Sequence, residues 1–174
     1  WDDAETRATL DRNFRLFRAL RASAEGYLSR RQYQAAAVYA EMAAHCATWK
    51  HGGLFASPEL ERLLLAVGLA CGARLPPAPG RRDGEPRRIL HVANILSGVG
   101  GLSRLLWRWL GEDAGRTHSV AVTWPVRHAR PSALTEAVGR TGGAFHLLGE
   151  TRRGPVARAA ALRELARTAD LVVL

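Results

Sequence analysis

"RILHVANILSGVGGLSRLLWRWL" (Arg88–Leu110) changes character twice. Residues 89–96 form a nearly continuous apolar run, the pattern of a strand buried on both faces of a parallel sheet. Four closely spaced small residues follow, Ser97, Gly98, Gly100 and Gly101, and from Leu102 onward the apolar positions recur at helical spacing. Strand, glycine loop and helix in immediate succession predict the opening unit of an α/β domain. In such a unit the helix presents its first free N–H groups at the loop.

The same alternation continues downstream. "HSVAVTW" (118–124) reads as a second strand, 131–140 as a helix, "AFHLL" (144–148) as a third strand, 155–167 as a helix and "DLVVL" (170–174) as a fourth strand. Strands and helices alternating at this spacing imply right-handed crossovers and a Rossmann-like parallel sheet with helices on both faces.

Upstream the pattern is helical throughout. Leu10, Phe14, Phe17 and Leu20 mark a first amphipathic helix, and Tyr33–Trp49 is a second whose Ala36, Ala40, Ala43, Ala44 and Ala47 let a neighbour approach closely. A third begins at Ser57, a good N-cap ahead of Pro58, with Glu59 and Glu61 in its first turn and Leu60, Leu63, Leu64 and Val67 as its apolar stripe. "YLSRRQYQAAAVYAEMAA" (27–44) resembles half a tetratricopeptide hairpin, without a second copy at the expected spacing. Between the two regions, "GARLPPAPGRRDGEPRR" (72–88) concentrates proline, glycine and arginine and reads as a linker. The expected organisation is a small all-α extension over 1–71, a linker over 72–88 and an incomplete Rossmann-like α/β domain over 88–174.

Composition narrows the function classes. At 174 residues and 47% hydrophobic content the chain supports one medium domain or two small ones, and its longest apolar run, Leu63–Ala73, falls far short of a membrane span of roughly 20 residues. A globular, cytoplasmic protein is expected, and the opening on Trp1 rather than Met reads as a fragment of a longer polypeptide. Cys46 and Cys71 sit in helical patterns without CxxC spacing, as buried thiols in a reducing compartment do. His45, Trp49 and His51 lack the companions of a metal ligand set, so no metal is expected. The net charge of +9 is carried by scattered arginines, since Lys50 is the only lysine. Without a recognition-helix signature or an aromatic RNA platform, nucleic acid is not an expected partner; the basic charge is compatible with peripheral contact at an anionic membrane face.

Glycines in this loop let the backbone turn tightly and approach a ligand, and the amides of Gly101 and Leu102 suit an anion. Two nucleotide motifs are excluded as written. A P-loop needs Lys and Ser/Thr directly after its last glycine, where this chain has Leu102, Ser103 and Arg104. A dinucleotide fingerprint needs GxGxxG and an acidic residue ending the second strand, where this chain has Thr123, Trp124 and Pro125. No NAD or other cofactor is expected.

The stretch 88–110 resembles the opening strand, glycine pair and first helix of family-4 glycosyltransferases of the two-domain GT-B fold. Residues 35–64, "AAAVYAEMAAHCATWKHGGLFASPELERLL", are similar to the helical extension that precedes that domain in a subset of bacterial members. The resemblance implies retaining transfer of a sugar from a nucleotide-sugar donor to an acceptor, without an obligatory metal. It puts Gly100 and Gly101 in the cleft near the donor phosphates and the acceptor, with Ser97 and Gly98 shaping the approach. It also implies that the donor-binding acidic pair, and a histidine following the fourth strand, lie beyond Leu174, so the fragment alone is expected to be inactive and no catalytic residue is named in it. The competing expectation is a non-catalytic helical interaction module carried on an α/β scaffold.

On the helix after the loop, Leu102, Leu105, Leu106, Trp109 and Leu110 are expected to form the buried face, leaving Trp107 with Arg104 and Arg108 opposite.

Overall fold

The computed structural model describes residues 3–72, 84–96, 100–113, 115–124, 132–151 and 154–174. Most of the linker predicted over 72–88, together with Ser97 and Gly98 of the glycine loop, lies outside them. The chain divides into two compact units, one comprising Trp1–Pro76 with Gly154–Val156, the other Pro77–Arg153 with Ala157–Leu174.

The first unit contains α1 (Ala4–Ser29), α2 (Tyr33–Lys50) and α3 (Pro58–Gly72). Asp3 caps α1 by accepting from the Thr6 amide. The α1–α2 turn is a Schellman closure: the Gln32 amide donates to Tyr27 O and the Arg31 amide to Leu28 O, both at 2.9 Å. Arg31 holds the left-handed position of that turn at φ 59°, where glycine is the usual occupant. The small-residue face of α2 does what its spacing predicts. Ala36, Ala37, Ala40 and Ala43 are buried with Phe17 and Ala24 of α1 and Leu60, Leu63 and Val67 of α3. Leu10 and Phe14, expected in the same stripe, are more than a third exposed at the rim. Ser57 caps α3 through the Leu60 amide at 3.3 Å. Cys46 is buried and Cys71 only half-buried, both as free thiols.

In the second unit, β1 (Arg88–Ala93), β2 (Thr117–Val122), β3 (Phe145–Leu147) and β4 (Leu171–Val173) form one parallel sheet in the order β3-β2-β1-β4. The helices are α4 (Gly101–Glu112), α5 (Ser132–Arg140), α6 (Leu148–Thr151) and α7 (Pro155–Thr168). Strand alternation sends Ala93, Val120 and Val122 to one face, packed with Leu106 and Leu110 of α4 and Leu134 and Val138 of α5. Leu90 and Ala121 face the other way, with Leu148 and with Ala161, Leu162 and Leu165 of α7. This is the Rossmann-like α/β arrangement expected from the sequence, with one addition, the single turn of α6 directly after β3. The start of the sheet is fastened by Asp170, whose carboxylate accepts from the Arg87 and Arg88 amides at 3.1 and 2.9 Å and from the Arg88 guanidinium at 3.0 Å. Those bonds hold its carboxyl below the usual carboxylate range, the Arg88 amide being the largest cause.

The buried face of α4 differs from the expected one. Ser103, Leu106 and Leu110 are its buried residues, whereas Leu102 and Leu105 are more than half exposed and Trp109 is 38% exposed. Five apolar residues cover too wide an arc of one helix for all of them to reach the sheet, and the narrower stripe of Leu106, Leu110 and Ser103 is the one that fits.

Candidate functional site

The strand order reverses beside β1: β2 and β3 follow on one side and β4 returns on the other. In open parallel sheets the crevice beyond the carboxyl ends of the strands at such a switch point is where ligands collect. The chain leaves β1 there through Asn94, Ile95 and Leu96 and enters α4 at Gly101 with Gly100 as the N-cap residue. The β1–β2 pairing extends to the mouth of this loop. Thr123 and Trp124 donate their amides to Ala93 O and Asn94 O at 3.0 Å, and the Thr123 hydroxyl reaches Asn94 Oδ1 at 3.2 Å.

Of the residues expected to form the site, Gly100, Gly101 and Leu102 are brought together at the amino end of α4, and Ser97 and Gly98 lie outside the described residues. Gly100 is extended (φ −84°, ψ 156°), offers no side-chain cap, and accepts the Arg104 amide at 3.1 Å as the first helical bond. The N–H groups of Gly101, Leu102 and Ser103 precede that bond and have no intrahelical acceptor. A Cβ built on Gly101 meets nothing within 4 Å. Among the described residues, close strand-to-helix packing is therefore not the reason for glycine at this position.

Three further side chains sit at this end of the sheet and escaped the sequence reading. Ser103 is buried at 7% exposure and its Oγ has no hydrogen-bond partner. A serine in the first turn of a helix after a glycine loop was the available signal, masked by the leucines around it. Ile95 and Trp124, 49% and 37% exposed, add apolar surface beside the loop. Chemically, this arrangement offers backbone donors and a helix dipole to an anion, worth about 0.3–1 kcal/mol for an exposed charge. Among the described residues, none of the His, Cys, Asp and Glu side chains form a group of three suited to a metal.

A broad groove of about 1310 Å³ lies at the opposite, amino ends of the strands, lined in part by Arg87, Arg88, Asp113, Arg116 and Asp170. Two of its three arginines are paired within the fold: Arg88 meets Asp170 and Arg116 meets Asp113, each at 3.0 Å, and Arg116 also approaches Glu85 at 3.7 Å. It reads as the fastened base of the sheet rather than a receptive site.

Compared with models of known families, with curated proteins and with solved structures, the chain finds no match.

Proposed function

We propose that this chain is the amino-terminal part of a retaining GT-B glycosyltransferase, with the glycine loop contributing to the cleft that receives a nucleotide-sugar donor and its acceptor. The observation that carries the proposal is Gly101: neither its helical backbone nor any neighbour among the described residues requires a glycine, yet it stands at a helix amino end, at the switch point of a parallel sheet. In this role the free amides of Gly101 and Leu102 stabilise negative charge on the departing diphosphate, through donors that need no reorganisation during transfer.

The crest of α4 supports a peripheral contact for such an enzyme at an anionic, cytoplasmic membrane face. Arg104 and Arg108 are exposed there between Leu105 (61% exposed) and Trp107 (51%). Among the described residues no helix is long and apolar enough to cross a membrane.

The test is transfer by the native polypeptide as its gene encodes it, assayed as nucleoside diphosphate release from a panel of nucleoside-diphosphate sugars. The proposal expects turnover with at least one donor and a loss of tenfold or more in Gly101→Val, equivalent to about 1.4 kcal/mol of lost transition-state stabilisation. Turnover unchanged by Gly101→Val would remove the loop from the site.

A second reading has an observation of its own. Leu64, Leu65 and Leu69 on α3, 41%, 62% and 66% exposed, form an outward apolar strip, as on a helical module that binds a protein partner. A partner that survives Gly101→Val and is lost in Leu65→Gln/Leu69→Gln would favour that reading.

A further inference from the structure

Two histidines lie inside the second unit in places the glycine loop does not use. His91 on β1 and His118 on β2 are 5% and 0% exposed, their rings stacked at 5.2 Å with His91 Nε2 2.9 Å from His118 Nδ1. His118 Nε2 lies 3.3 Å from Asp113 O and 3.4 Å from Asp113 Oδ2. Both of those atoms are acceptors, so with both rings neutral His118 Nε2 carries the proton, His118 Nδ1 accepts, and His91 Nε2–H donates to it. A directed chain results, from His91 through His118 to Asp113. Asp113 is the C-cap of α4, and Trp109 of its last turn sets its ring edge-on to His91 at 5.0 Å. The chain therefore joins β1, β2 and the last turn of α4.

We propose that His91, His118 and Asp113 form an acid-sensitive clasp, which fastens the end of α4 to the sheet while His91 is neutral and opens when His91 takes up a proton. The proton comes from water and adds to the free lone pair at Nδ1, leaving a cation on a nearly inaccessible ring. Within the described residues the charged groups facing this ring pair are few. The carboxylate of Asp113 is already engaged by Arg116 at 3.0 Å, Arg116 is approached in turn by Glu85, and the end of α5 presents only the Thr141 hydroxyl, which accepts the His118 amide. No unengaged carboxylate is in place to neutralise a charge on His91. Burial first, and the neighbouring His118 second, lower its pKa to about 4, against a smaller opposing effect of Asp113.

The sign follows from the folded value lying below the ordinary 6.5. Between those two values the unfolded chain binds the proton and the folded chain does not, so stability rises with pH across the window and is lost as pH falls from 6.5 toward 4. The clasp does not depend on what the glycine loop binds.

The test compares the 174-residue chain with His91→Gln, which retains a donor toward His118 Nδ1 but does not titrate. Unfolding free energy is measured by denaturant from pH 7 to pH 4, and the His91 imidazole is followed by NMR. The clasp predicts that the parent takes up about one more proton on unfolding near pH 5 than the variant does. It also predicts a His91 resonance that remains neutral below pH 5. Superimposable pH profiles overturn the proposal, as does a His91 resonance titrating near 6.5. Should the variant fail to fold, the resonance alone decides.

Discussion

A Cβ placed on Gly143 would collide with the His118 carbonyl, whereas one placed on Gly101 would meet none of the described residues. The two glycines therefore respond differently to one methyl group. Gly143→Ala is expected to lose about 1–3 kcal/mol, since backbone must move to admit it, and denaturant unfolding would measure the loss. Gly101→Ala is expected to hold or gain stability, by up to about 1 kcal/mol from helix propensity, with its cost confined to ligand binding. Arg31→Gly relieves a left-handed residue at a helix end and should raise stability by about 1 kcal/mol in the same measurement. A drop would mean that contacts of the Arg31 side chain outweigh its backbone strain. The sequence marks Gly101 within its loop but says nothing of Gly143, because the carbonyl that crowds Gly143 belongs to a distant strand. The histidines were equally hidden: His91 looks like one polar interruption of RILHVA and His118 is one of three polar residues opening THSVAV, and only the parallel register of β1 and β2 sets their rings together.

At the scale of elements, the three N-terminal helices and four strands were legible because strong local patterns set them. Ser57 and Pro58 fix where α3 starts, and Ser57→Ala should cost about 1 kcal/mol in unfolding free energy. The helix after the glycine loop was legible as a helix but not in its orientation. Its buried stripe contains Ser103, and hydropathy ranks Leu102 and Leu105 above it. The exposed crest of α4 belongs to the same scale. If it meets an anionic membrane, Arg104→Glu/Arg108→Glu should weaken sedimentation with phosphatidylglycerol vesicles more than the charge-matched Arg15→Glu/Arg18→Glu on α1. Equal losses in the two pairs would assign the binding to bulk charge.

For the whole molecule, alternation of strand and helix announced a parallel sheet, and the order β3-β2-β1-β4 puts its switch point beside β1, where the glycine loop begins. The site was legible in part. Gly100, Gly101 and Leu102 follow from the motif, while Ser103, Ile95 and Trp124 depend on how the strand ends lie against α4. Nucleoside diphosphates titrated into the isotope-labelled native polypeptide, as its gene encodes it, and followed through the backbone amides of α4 decide whether the glycine loop meets the donor. The account predicts saturable shifts at Gly101 and Leu102 that disappear in Gly101→Val. Amides at the amino end of α4 that stay still while others respond, or that respond equally in the variant, would contradict it.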